Sequence, residues 1–243
     1  MTSETNRAIW RLGGLSAIAG ALLAGVGNLA HPVTPRDDPE GVAHVIAHRT
    51  DWTLIHMVIF AGVVLLLIGM LALQSTFPED GMPRVFATLA AYLATMGAAL
   101  GVITVGLDGI AAKELADRWA AADSFGAGSL LLESVTLNET MNFAFAALFN
   151  MTFAGLPLIF FGLAITTSHL YPRALGWVAL SAGVMSVCAG VFQAVTGHPT
   201  MTSLILTIIG PTVVTAWLFA IGLLLLRRSR QYTGSRSANA ISQ

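Results

Sequence analysis

Two groups of side chains in this chain have the types and spacing that chemistry requires. The first is His44, His48 and Asp51. Residues four apart share one face of a helix, and Asp51 joins them there if the helix runs that far. Two imidazoles and a carboxylate on one face can ligate zinc, copper or iron. His198 is a further metal-ligand candidate, from another helix end. If the helix ran on unbroken, His56 would stand about 120° round from His44. Thr50-Asp51 reads as a helix N-cap, however. A break there would scatter the set and leave His44 and His48 as solvated interfacial residues. Haem ligation by two of the histidines is the remaining reading.

The second group is His31, His56, Asp108 and Glu139. His56 falls about one turn inside an apolar run, where a buried imidazole needs a partner; Asp108, Glu139 or His198 are placed to supply one. Asp108 falls at the end of an apolar run. The helix dipole disfavours an anion there, so this carboxyl must be solvated, paired or protonated. Glu139 opens the next run, where capping a helix N-terminus explains it more simply than catalysis. With Asp108 or Glu139 as acid and His56 or His31 as base, the set suits acid–base chemistry on a lipid-soluble substrate. Isoprenoid cyclisation or isomerisation needs just such an apolar pocket and one placed proton. Thr104, Gln193, Thr196, Thr207 and Thr212 either line the same cavity or bond their own helices. Asn142 and Asn150 continue a polar stripe from Glu139 and are suited to bonding across helices.

The elements that carry these residues are membrane helices. Hydrophobic residues make up 55% of the 243 and charged residues 10%. Soluble domains carry about 25% charged residues, so this surface must face lipid. Mean hydropathy is +0.74. A spanning helix needs about 20 apolar residues. Six stretches qualify: 10–30, 53–74, 85–107, 140–166, 174–196 and 202–226. Backbone groups in lipid must pair within their own segment, so these runs are helices. The expected fold is all-α: a single bundle of six transmembrane helices over 1–226, then a basic, polar, disordered tail over 227–243. The first run, from Leu12 to Ala30, is too long for a secretion signal and reads as a retained helix.

Two connections are long. In the first, Asp38 as N-cap with Pro39 at the first helical position predicts a short interfacial helix to about Arg49. The second, 109–138, predicts another over Lys113–Ala122. Arg7, Arg11, Arg84, Arg173, Arg227, Arg228, Arg230 and Arg236 fall on the N-terminal side of the bundle. Arg36, Arg49, Lys113 and Arg118 fall on the other. Eight against four places both termini in the cytoplasm of a bacterial plasma membrane and the histidine-rich end outside. Only His169 of the six histidines falls on the inner side. Ser16, Gly20 and Ala24, and Gly97 and Gly101, have the spacing of close helix contacts, and Pro157 and Pro211 predict kinks. The lone Cys188 allows no intrachain disulfide.

Three segments resemble a bacterial six-span membrane family, domain of unknown function 4386: Arg11-Leu12-Gly13-Gly14-Leu15; Pro35-Arg36-Asp37-Asp38-Pro39 followed by Ile46 and Arg49; and Leu163 to Gly183 with Tyr171-Pro172-Arg173-Ala174-Leu175-Gly176. The resemblance implies the six-span fold. That family has no agreed activity, so it implies no catalytic residues. His44, His48 and His56 are not among its fixed features, which makes any histidine site peculiar to this chain or a subgroup.

Several functions are excluded by what is missing. The sequence has no phosphate-binding glycine loop, no Gly-x-Ser-x-Gly elbow, no Cys-x-x-Cys pair and no Asp-rich diphosphate motif. Basic runs for nucleic acid are absent, and the spans carry no ladder of charges like a voltage sensor. An enzyme with a hydrophobic small-molecule substrate, a metal or haem holder, and a non-enzymatic sensor, immunity or accessory protein remain, with a small transporter disfavoured because the spans lack midplane charges and clear repeats.

Overall fold

A computed structural model describes residues 3–35, 38–198 and 200–241. Arg36, Asp37 and the side chains of Thr207 and Arg236 lie outside the described residues. Among those described there are eleven consecutive helical segments. They are α1 (Ser3–Ala30), α2 (Pro39–His48), α3 (Trp52–Gln74), α4 (Met82–Val105), a π segment (Gly106–Ala111), α5 (Ala112–Ala120), α6 (Phe125–Phe149), a second π segment (Asn150–Gly155), α7 (Leu156–Thr166), α8 (Arg173–Thr196) and α9 (Met201–Ile241). Six helices are long and apolar enough to cross a membrane, with mean hydropathy between 1.6 and 2.8 in their best windows. The chain is an all-α membrane bundle.

Glycine sets the closest contact, between α1 and α3. A methyl group on Gly20 would lie 2.8 Å from the Gly62 carbonyl oxygen, and one on Gly62 would lie 2.7 Å from the Ala24 nitrogen. Gly13 and Gly27 meet α3 as closely, so the contact recurs every seven residues along α1. Backbones this close gain dispersion where lipid offers no hydrophobic drive for association. At the end holding the N-terminus, Tyr171 donates to Thr76 at 2.9 Å and Arg228 lies 5.0 Å over the Trp10 ring. Burial pushes the Tyr171 phenol above its ordinary range.

Two helices are much longer than the sequence reading allows. The third span does not stop at 107. It runs from Met82 through the first π segment into α5, 39 residues in all, or about 58 Å. The fourth starts at Phe125, not 140, and continues through the second π segment to Thr166, 42 residues. An apolar slab of about 30 Å cannot hold either. Their excess projects on one side and meets α2 there. Val42, Ala43, Ile46, Trp52, Ala112, Ala116 and Val135 form a small second core, a cap over that end of the bundle. Of the two expected interfacial helices, α2 is separate, with Asp38 accepting from the Gly41 amide at 2.9 Å. The other is the top of the third span.

The third span continues because its weak point is repaired. Widening to π pitch, with i→i+5 bonds such as Ala112 N–H to Leu107 O, changes the ordinary carbonyl ladder. Three successive carbonyls receive side-chain donors: Asn138 Nδ2 to Leu107 at 3.0 Å, Trp52 Nε1 to Asp108 at 2.7 Å and Thr53 Oγ1 to Gly109 at 2.8 Å. The second π segment precedes Pro157, which has no N–H for the turn before it; the pitch change replaces the simple kink expected there. Asn150 in that segment donates to Gln193 at 2.7 Å. The stretch beyond Arg227, read as a disordered tail, is helical as far as Ile241; Arg227–Gln231 contains no helix breaker. The Leu107 carbonyl also accepts the Ala112 backbone N–H, so replacing Asn138 by leucine removes its second donor. Unfolding in detergent is expected to become easier by about 0.5–1.5 kcal/mol, measured as a lowered melting temperature.

Candidate functional site

Three of the four residues read as acid–base candidates meet at the capped end. His31 follows the last turn of α1, His56 lies one turn into α3, and Asp108 sits in the first π segment. His56 Nε2 is 3.2 Å from Asp108 Oδ2 and 3.2 Å from His31 Nε2. His31 Nε2 is 3.7 Å from the same carboxylate oxygen. Among the described residues this is the one group of three or more His, Cys, Asp or Glu side chains whose ligand atoms all lie within 4.8 Å of one another. His56 is 3% exposed, whereas the His31 and Asp108 side chains are 30% and 21% exposed, so the group is reachable from one side.

The other face of each imidazole decides its chemistry. His56 Nδ1 is 2.8 Å from the Trp52 carbonyl and His31 Nδ1 is 2.9 Å from the Pro32 carbonyl. A carbonyl only accepts, so both Nδ1 atoms carry the proton. In the neutral rings both Nε2 atoms then present lone pairs. These face each other and an oxygen of a carboxylate, which also only accepts when ionised. Three acceptors converge within 3.2–3.7 Å with no hydrogen of their own to share. Such an arrangement is repulsive unless a proton or a cation lies between them.

Neighbouring residues fix this geometry. Trp52 is 1% exposed. Its ring lies 5.2 Å from the His31 ring and 5.0 Å from the His56 ring, while its indole N–H holds the Asp108 carbonyl. A methyl group on Gly109 would come 2.4 Å from His56 Cβ, so only glycine lets α3 reach the π segment here. Trp52, Thr53, Gly109 and Asn138 were not singled out in the sequence. The readable signal was the four-residue spacing of Trp52 and His56, directly after the helix break at Thr50-Asp51.

Two sequence readings are corrected here. Asp108 does not end a helix; it sits inside a continuous one, so no helix-end dipole acts on it. Glu139 caps nothing. Its helix starts at Phe125, with Ser124 accepting from the Ala127 amide, and Glu139 lies four turns in. It follows Asn138, whose side chain reaches the Leu107 carbonyl next to Asp108. Glu139 Oε1 and Asn142 Oδ1, with Ser186 Oγ, are buried without a hydrogen-bond partner among the described residues. Such an atom costs about 1–3 kcal/mol.

The set of His44, His48, Asp51 and His198 is not assembled. The helix breaks as the cap residues predict, α2 ending at His48 and α3 starting at Trp52. The His44 and His48 rings stack at 4.0 Å on the surface, and His48 Nδ1 bonds the His44 carbonyl. Asp51 makes a two-pronged pair with Arg49 at 2.7 and 2.8 Å, and that guanidinium holds its carboxyl below the usual range. His198 is exposed beyond the end of α8. Haem does not fit the buried pair, because Nε2 atoms 3.2 Å apart and pointed at each other leave no room for a porphyrin plane. Thr104, Thr196 and Thr212 bond their own helices, and Gln193 pairs with Asn150 instead of lining a cavity.

No family model, no curated protein and no solved structure matches this chain. The resemblance to the six-span family therefore rests on the three sequence segments alone. Gly109→Ala is expected to push His56 away and to cost about 1–3 kcal/mol by overpacking. Gly106→Ala is the control within the same π segment, since nothing lies within 4 Å of its added carbon, and it should leave the melting temperature unchanged or raised.

Proposed function

We propose that this membrane protein binds one divalent transition metal ion, zinc by preference, through His31, His56 and Asp108. The observation that carries this is the convergence of three lone pairs whose hydrogens are already committed elsewhere. Metal-bound histidines characteristically donate their second N–H to a carbonyl or carboxylate, and both rings here do so. Zinc with bonds of 2.0–2.2 Å holds tetrahedral donors about 3.3–3.5 Å apart. An octahedral ion at 2.0–2.1 Å draws them to about 3.0 Å. The separations of 3.2, 3.2 and 3.7 Å are closer to the tetrahedral set. Three protein ligands leave one position for water or substrate, which is the pattern of catalytic rather than structural zinc.

A second reading keeps the same residues without a metal. His56 and Asp108 at 3.2 Å are also within reach of a shared proton, as acid–base chemistry on an isoprenoid-like substrate would need. Metal analysis of the purified protein separates the two. The zinc reading expects about one equivalent per chain, lost in His56→Ala and Asp108→Ala and kept in His44→Ala and His48→Ala. Protein that takes up no zinc, cobalt or iron defeats it and leaves the proton reading.

The arginine distribution supports an orientation with the site on the outer side of a bacterial plasma membrane and both termini inside. With Cys188 replaced by serine, a cysteine at His44 should react with a membrane-impermeant maleimide in intact cells. One at His169 should react only after the membrane is opened. The reverse pattern would invert the topology.

A further inference from the structure

Glu139 and Asn142 stand three residues apart on α6, beside Val135 and Asn138, which are buried. Asn138 reaches the Leu107 carbonyl from that helix, so the four-residue stretch faces the π segment that carries Asp108. One oxygen of Glu139 and one of Asn142 are buried and meet no donor among the described residues. Two unpaired acceptors so close together mark a place where something that donates belongs. Glu139 follows Asn138 on α6, whose side chain reaches the segment that carries Asp108, yet it stands outside the tight three-ligand group. A carboxylate on the helix that packs against the ligands, without joining them, is the position of a base that handles a metal-bound water.

Resting on the zinc reading, we propose that the protein is a hydrolase and that Glu139 is its general base, acting on the ester or amide bond of an acyl-chain amphiphile. Zinc lowers the pKa of a bound water to about 7. Glu139 takes one proton from that water, and Asn142 Oδ1 accepts a hydrogen bond from the other hydrogen. The hydroxide oxygen bonds to the carbonyl carbon, whose oxygen leans on the zinc. The bond from that carbon to the leaving oxygen or nitrogen breaks, and Glu139 returns the proton to the leaving group. One water is consumed and no electron changes hands. Two histidines and a carboxylate also serve non-haem iron oxygenases, but that chemistry needs a reductant, and it gives the unpaired Glu139 oxygen no task.

The surroundings of the site support the substrate class. Each ligand has an exposed apolar neighbour two residues away: Leu29 at 88%, Leu54 at 65% and Ile110 at 54%. These side chains give the ligands an apolar rim, which favours a substrate that carries an apolar chain of its own.

The test uses the full chain, zinc-loaded in detergent micelles, with p-nitrophenyl dodecanoate, N-dodecanoyl-p-nitroaniline and p-nitrophenyl acetate as probes. The wild type should cleave the dodecanoyl ester or amide, and the acetate at least tenfold less efficiently. Glu139→Gln should keep its zinc equivalent and its melting behaviour while the rate falls about 10²- to 10⁴-fold. Retained zinc with no cleavage of either dodecanoyl probe overturns the hydrolase. An unchanged rate in Glu139→Gln overturns the base, as does loss of zinc from that variant, which would make Glu139 a ligand. Equal efficiency on acetate and dodecanoate overturns the amphiphile. A wild type without zinc defeats the metal reading instead, so the two failures are distinguishable.

Discussion

The structure turns on how three carbonyls are satisfied. In a bundle surrounded by lipid, an unpaired backbone oxygen has no water to turn to. The widened turn at Gly106–Ala111 exposes the carbonyls of Leu107, Asp108 and Gly109, and donors from Asn138, Trp52 and Thr53 meet them in succession. Those three bonds join α3 and α6 to one point on the third span. They also aim the Asp108 side chain at His56.

Polar side chains elsewhere in the bundle are mostly self-sufficient. Thr95, Thr104, Thr152, Thr166 and Thr212 each bond a carbonyl of their own helix, and Asn150 and Gln193 satisfy each other. Unpaired polarity is instead concentrated at the level of Asp108. There the chain gathers two imidazole lone pairs, a carboxylate oxygen and the solitary oxygens of Glu139 and Asn142. Among the described residues the only other buried side-chain atom without a partner is Ser186 Oγ, in the middle of α8.

The spans were legible because hydropathy over some twenty residues is a strong signal; the best window of α3 reaches 2.8. The start of α2 was legible too, because Asp38 and Pro39 are local signals read without tertiary context. The lengths of the third and fourth spans were not. No proline stands between Arg84 and Ala120, but the drop in hydropathy after residue 107 looks the same whether a helix stops or merely leaves the membrane. His31, His56, Asp108 and Glu139 could be picked out as ionisable groups in costly positions. Their convergence could not, because it depends on Gly109 admitting His56 and on a π turn that has no sequence signature of its own. Short-range spacing drew attention to His44 and His48, which face water and each other. The donors that do meet come from helices 25 and more residues apart.

The glycine seam between α1 and α3 has an effect beyond cohesion. Gly13, Gly20 and Gly27 lock the two backbones along most of their length, and His31 and His56 ride at the end of that seam. Their mutual spacing is thus set by main-chain contact and cannot stretch without parting the helices. A rigid gauge of this kind would sort ions by radius. Calcium, which wants six to eight oxygens at 2.3–2.6 Å, would be too large for it and would meet the wrong donors.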